Sequence, residues 1–212
     1  MQERKSLFVR SHSRDAHTPA DNATFYCENS LPFVMGTTGG DREKLIEDVQ
    51  RADIYAVIAP NMGKQIVAFQ TMMESMAEQF PGCFQGYTLR VVESHQRTKA
   101  DTSGTAKAVV QSFQKMGLDF QESDIEKVRQ RENQMFDMGV PEEHIDGHAF
   151  HTYTLTSDDG SVTLEFKHNV CGRKVYAEGT VDAAIFLYQQ KQKGASQKVY
   201  NMIDVLKAGA MR

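Results

Sequence analysis

Residues 31–82 run LPFVMGTTGGDREKLIEDVQRADIYAVIAPNMGKQIVAFQTMMESMAEQFPG, and within them two short apolar runs each lead into a helix. Leu31 to Met35 is a strand-length segment that enters Gly36-Thr37-Thr38-Gly39-Gly40, and Asp41 is placed to cap a polar helix to about Arg51. Tyr55 to Ala59 is a second buried strand, closed by Pro60-Asn61. Met62, Ile66, Phe69, Met73, Met76 and Phe80 then recur at three- and four-residue steps, one face of a long helix that Pro81-Gly82 stops. Strand, helix, strand, helix implies an α/β arrangement on a parallel sheet.

Outward from there the pattern changes. Tyr87 to Glu93 is β-rich, a polar stretch runs from Ser94 to Ser103, and a helix starts near Gly104 and ends at Gly117. The charged run Glu122 to Asn133 predicts an exposed helix. His148 to Thr156 and Val162 to Val170 predict strands joined by the hairpin signal Ser157-Asp158-Asp159-Gly160. The last forty residues look helical. The first twenty, with four basic and several hydroxyl residues, suit either an organelle transit peptide or a disordered terminus.

Composition narrows the function. The 212 residues are 40% hydrophobic and 25% charged, as in an ordinary globular protein. A net charge of -4 offers no basic field for nucleic acid. The longest apolar run, Ile54 to Ala59, is too short to cross a bilayer, so neither nucleic acid nor membrane is expected as a partner. Cys27, Cys83 and Cys171 form no C-x-x-C pair, and the seven histidines show no H-E-x-x-H spacing, so no metal is expected. No two glycines are two residues apart, which rules out a G-x-G-x-x-G fingerprint in this chain, and no Walker-type loop is present.

The densest polar cluster is ESHQRTKADTSGTA, Glu93 to Ala106, placed after a strand and before a helix, where α/β proteins carry functional loops. His95 and Lys99 would stand roughly 13 Å apart in an extended chain, at ~3.3 Å per residue, so a shared site requires a turn. Ser103-Gly104-Thr105 opens a helix with N–H groups free for a carboxylate or phosphate. A histidine, a lysine and an anion cradle together describe an anionic-ligand site with a candidate acid. Arg173, in HNVCGR after the last strand, suits either a carboxylate grip or a capping or interface role. Gly36-Thr37-Thr38-Gly39 looks like a cofactor-facing turn.

From about Asn22 to Arg212 the chain resembles the plant-type branch of the dihydrodipicolinate reductases of lysine biosynthesis. The motifs are PFVMGTTGGDR, MAEQFPG, ESHQRTKADTSGTAKAV, GVPEEHIDGHAFH, FKHNVCGRKVYAEGTVDA and YNMIDVL. The resemblance implies reduction of a cyclic dicarboxylate imine, 4-hydroxy-tetrahydrodipicolinate, with NADPH or NADH. It implies His95 as proton donor/acceptor and Lys99 as second proton donor. Gln96, Ser103, Gly104, Thr105 and Arg173 would bind substrate, with Gln96 standing where bacterial members have a second histidine. Gly36, Thr37 and Thr38, with Ala59, Pro60, Asn61 and Met62, would line the nicotinamide.

For the fold the resemblance implies an α/β (α+β) protein. A partial Rossmann-like nucleotide-binding domain would comprise 1–62 and 174–212. A substrate-binding and oligomerisation domain with an open mixed β-sheet would comprise 63–173. Members carry a longer Rossmann unit at the front, so the adenosine and pyrophosphate sites are expected to be missing here and cofactor binding to be impaired. A homo-oligomer is expected, in the chloroplast stroma for a plant or alga and in the cytoplasm for a bacterium. The alternative is a non-catalytic binding or assembly protein derived from such a reductase.

Overall fold

Asp41 does what its position promises: its carboxylate accepts from the Lys44 N–H at 3.0 Å and starts α2, Arg42–Arg51. The computed structural model describes residues 8–9, 18–36 and 41–209. These form two units, one made of residues up to Ala68 with Lys174 onward, the other of Phe69–Arg173.

The first unit is built on a parallel sheet of four strands, β1 (Phe8–Val9), β2 (Phe33–Gly36), β3 (Ala56–Ala59) and β8 (Val199–Tyr200), in the order β1-β2-β3-β8. Phe8 and Val9 lie in the segment for which no element was expected, and they pair with Phe33 and Val34. Helix α1, Thr18–Glu28, was equally unforeseen. β2 and β3 are almost fully buried, as their unbroken apolar runs require in a sheet covered on both faces. On one face Ala23, Tyr26 and Val49 pack against Phe33, Met35, Ala56 and Ile58. On the other, Val34, Val57 and Ala59 meet Ala183, Phe186 and Leu187 of α6, Lys174–Gln192, and Val205 of α7, Met202–Lys207.

Two features of this unit escaped the sequence reading. Lys64, at the start of α3 (Lys64–Gln79), and Asp182 of α6 form an ion pair with both side chains buried. This holds the first turn of α3 to the first unit. Gly179 of α6 lies against the backbone of Met62, where an added Cβ would overlap the carbonyl oxygen. Gly→Ala inside a helix ordinarily stabilises by up to about 1 kcal/mol. Here the sign is expected to reverse, Gly179→Ala costing about 1–3 kcal/mol as an overpacked contact, measurable by urea denaturation.

The second unit carries a mixed sheet in the order β5-β4-β6-β7, from β4 (Thr88–His95), β5 (Glu126–Val128), β6 (His148–Thr156) and β7 (Thr163–Cys171). β4 pairs parallel with β5 and antiparallel with β6, and β6 pairs antiparallel with β7. Turn residues 157–160 close that hairpin, with Gly160 at φ 70° and the Ser157 N–H donating to Val162. One face of the sheet, through Val91, Tyr153 and Leu155, is covered by Met73 and Ala77 of α3 and by Val109, Val110 and Phe113 of α4, Gly104–Lys115. Fully burying a side chain such as Phe113 contributes about 1.5–3 kcal/mol.

The segment 122–133 is not the expected exposed helix. It divides into a 3-10 turn (Glu122–Asp124), the edge strand β5 and the start of α5, Arg131–Phe136. Buried Ile125 anchors it, and the Glu126 carboxylate accepts from Arg90 Nε and Nη2 at 2.8 and 2.7 Å across the parallel pair. An edge strand with solvated side chains looks as polar as an exposed helix, so composition alone misleads.

Candidate active site

The end of β4 places three polar residues, Glu93, Ser94 and His95, where the hydrophobic cover stops. Glu93 and His95 share the helix-covered face with Val91, and Glu93 lies directly opposite His151 of β6, which lies opposite His168 of β7. Glu93 and His151 are wholly or almost wholly buried and His95 is 8% exposed. Burying such groups requires partners, and most are present. Glu93 is paired with Arg129, which follows β5, and its second oxygen accepts from the Ser103 N–H at 2.9 Å. Arg129 also donates from Nε to the Lys99 carbonyl at 2.8 Å and from Nη1 to the Glu93 carbonyl at 3.3 Å. One guanidinium thereby ties β4 to the loop that follows it.

The turn required of that loop exists: the Lys99 N–H donates to the Gln96 carbonyl at 2.9 Å. Lys99 is close enough to His95 for its charge to disfavour protonation of the ring. Its ammonium meets Asp101 at 2.7 Å, which lowers the Asp101 pKa. Ser103 corrects one expectation. Its N–H is not free for a ligand because Glu93 takes it, and its hydroxyl makes no cap bond. The open donors are those of Gly104 and Thr105, in the first turn of α4, where no intrahelical acceptor exists. Gly104 faces open space.

His151 and His168, given no role in the sequence analysis, stand beside His95. His95 Nε2 and His151 Nε2 are 2.9 Å apart, and His151 Nδ1 is 3.1 Å from the Tyr153 hydroxyl. Burial above all, then Arg129 and Lys99, pushes the His95 pKa down to about 3, partly opposed by a backbone hydrogen bond to His148. Burial likewise drives His151 well below its ordinary value and takes His168 to about 4. All three are neutral at pH 7. His148 stands on the other face, accepting from Ser94 at 2.7 Å and donating to the Ile145 carbonyl at 2.9 Å. Gln134 of α5 donates to the His95 carbonyl at 2.7 Å.

Glu93, His95 and His151 present ligand-type atoms within 4.8 Å of one another. Both Glu93 oxygens are already bonded, however, and the Arg129 guanidinium occupies the place a cation would need. The donor set fits a hydrogen-bonded network better than a metal centre.

Of the other residues singled out, Gly36 and Ala59 are register partners at the adjacent ends of β2 and β3. Met62 is buried, with its side chain against Gly36, and the Asn61 side chain accepts from the Gly63 N–H at 2.8 Å. Pro60 is exposed. Thr37 and Thr38 lie outside the described residues. Arg173 is exposed just before α6 and makes no ion pair among the described residues.

A family model described as "Dihydrodipicolinate reductase, C-terminus" matches residues 65–206. The chain is 59% identical over 192 residues to the Arabidopsis thaliana protein named 4-hydroxy-tetrahydrodipicolinate reductase 1, chloroplastic, covering 91% of this chain and 55% of that one. Its second Arabidopsis counterpart, named with the number 2, is 57% identical with the same coverage. The chain thus spans little more than half the length of these curated relatives. A solved structure described as dipicolinate-bound dihydrodipicolinate reductase from Paenisporosarcina sp. TG-14 shares the fold, with a TM-score of 0.59 at 16% identity over 92% of this chain and 71% of that one. A family model matching two thirds of the sequence, read together with plant relatives of this similarity, places the chain in the dihydrodipicolinate reductase family.

Proposed function

We propose that this chain forms the substrate half of a 4-hydroxy-tetrahydrodipicolinate reductase, which transfers a hydride from NADPH or NADH to a cyclic dicarboxylate imine. The observation that carries the reading is the loop after β4. One buried Glu93–Arg129 pair holds a charged lysine, a neutral histidine and the open N-terminus of α4 within a single turn of chain. The names of the relatives favour this over a non-catalytic binding role. The same names support a chloroplast location, in the stroma.

Each residue has a task in this reading. The N–H groups of Gly104 and Thr105 donate to one ring carboxylate, aided by the positive end of the α4 dipole. Gln96 adds an amide hydrogen bond, and Arg173 is a second cationic grip. Lys99 is the proton source: its ammonium meets Asp101 at 2.7 Å, whereas burial holds His95 neutral. Loss of the 4-hydroxyl group as water leaves a conjugated imine; when hydride adds to one end of it, the electron pair moves to the other end and takes a proton from the Lys99 ammonium. A nicotinamide supplies the hydride when bound. The backbone ends of β2 and β3 at Gly36 and Ala59, with Pro60 to Met62 beyond β3, suit the flat face of such a ring, since ligands of open α/β sheets sit at the carboxyl ends of strands. Nothing among these residues resembles a pyrophosphate loop, so weak cofactor affinity is part of the proposal.

Calorimetric titration with pyridine-2,6-dicarboxylate, a planar analogue, tests the reading. Lys99→Ala is expected to weaken binding at least about tenfold, roughly 1.4 kcal/mol, and His95→Ala by much less. Equal effects would contradict the division of roles, and no binding by the unaltered chain would remove the substrate site. A parallel NADPH titration, followed by nicotinamide fluorescence, is expected to give only weak binding.

A further inference from the structure

We infer that Tyr153 and His151 form a one-way hydrogen-bond chain that fixes His95 as the neutral Nδ1–H tautomer, making His151 and Tyr153 positioning residues of the site. The inference deepens the proposed reductase reading by assigning residues that carry no role in it.

A neutral imidazole has one N–H and one bare nitrogen, so the short His95–His151 contact has a direction. Tyr153 sets it. Its ring is fully buried, burial and the nearby Glu93 raise its pKa, and His151 Nδ1 is the hydroxyl's partner among the described residues. A phenol so placed keeps its proton and has one acceptor to give it to. His151 Nδ1 therefore accepts from Tyr153, its proton sits on Nε2, and Nε2–H donates to His95 Nε2. The His95 proton is left on Nδ1. The reverse direction would strand the buried hydroxyl proton.

The surroundings keep the chain neutral. Arg129 and Lys99 face His95 and His151 with positive charge, and His148 faces His95. The Glu93 carboxylate beside them is neutralised by Arg129. His168 packs on His151 with ring centroids 4.5 Å apart, and neither of its nitrogens has a partner among the described residues. It covers His151 without competing for its hydrogen bonds. With Nε2 of His95 committed to His151, Lys99 is the group proposed to release a proton to substrate.

Long-range proton–nitrogen spectra of the histidine-labelled full chain test this, with each ring assigned by its loss in His95→Gln or His151→Gln. The unaltered chain is expected to show His95 protonated on Nδ1 and His151 on Nε2 between about pH 6 and pH 8, where a free histidine would be titrating. Tyr153→Phe removes only the hydroxyl and is expected to release the order, giving mixed His95 tautomers. In the same frame His151→Leu releases His95, whereas His151→Gln, whose amide can still donate, restores the Nδ1–H form. A purely structural role for His151 would not separate Gln from Leu in this way. An Nε2–H form of His95 in the unaltered chain overturns the inference without any substitution having to fold, as do variants that leave the tautomer unchanged. Failure of pyridine-2,6-dicarboxylate to bind would instead remove the reductase reading and leave the hydrogen-bond chain standing.

Discussion

Arg129→Ala is expected to lose about 3–5 kcal/mol of stability, the usual consequence of breaking a buried ion pair from one side. The asymmetry of the pair explains the size. The Glu93 side chain is wholly buried, while that of Arg129 is 15% exposed, so removing the arginine leaves a carboxylate with no route to water. Glu93 keeps only its bond from the Ser103 N–H. The substitution also frees the Lys99 carbonyl, so the loop holding the proposed proton donor loosens and dicarboxylate affinity falls with stability. Glu93→Gln should cost less, because an amide oxygen still accepts from Ser103 and the stranded guanidinium can reach solvent. Urea denaturation followed by far-UV circular dichroism measures both, since the chain has no tryptophan to report fluorescence. A loss below about 1 kcal/mol for Arg129→Ala would mean that the pair is solvated in solution, as surface pairs are.

Mild acid is expected to unfold the second unit. His95 and His168 titrate near 3 and 4 when folded and near 6.5 when unfolded, both chiefly because burial penalises the charged ring, and His151 is shifted the same way. Between those limits the unfolded chain binds more protons than the folded one, so stability falls as pH falls. It is fully present above about pH 6.5 and is lost progressively toward pH 4, where His168 begins to protonate in place. Each histidine contributes at most about 1.4 kcal/mol per pH unit inside the window, so two of them remove roughly 3 kcal/mol per unit. From pH 6.5 to pH 4 that amounts to roughly 7 kcal/mol, which against a typical domain stability of about 5–15 kcal/mol places the transition below about pH 5. Asp101, stabilised as a carboxylate by Lys99, is lost only at lower pH and does not set this midpoint. Denaturation midpoints that stay level from pH 6.5 to 4.5 would show that the rings are hydrated or bonded in solution. His168→Phe, which keeps the ring contact to Phe69 and removes the titration, is expected to flatten the slope.

The elements whose information is local were legible from the residues. HAFHTYTLT alternates with period two and forms a strand over the same residues, 148–156. Asp41 before a polar helix, and Pro81-Gly82 after an apolar stripe, marked helix ends by their own chemistry. His95, Lys99 and Gly104 fall within one short loop, so their association needed only a turn, and the Gln96–Lys99 hydrogen bond supplies it. Where local chemistry is ambiguous the reading failed, as at 122–133.

Tertiary structure alone decided what surrounds that loop. Arg129 meets Glu93 across 36 residues, His151 meets His95 across 56, and Asp182 meets Lys64 across 118. Each pairing depends on strand register or on which helix crosses which, and a slip of one residue would turn His151 to the opposite face of the sheet. The amino-acid sequence by itself determined the strands, the helix ends and the short loop carrying a lysine beside a histidine. Its folding decided that the histidine is buried, neutral and bonded to His151, because burial and register are properties of the assembled sheet and not of any segment of it.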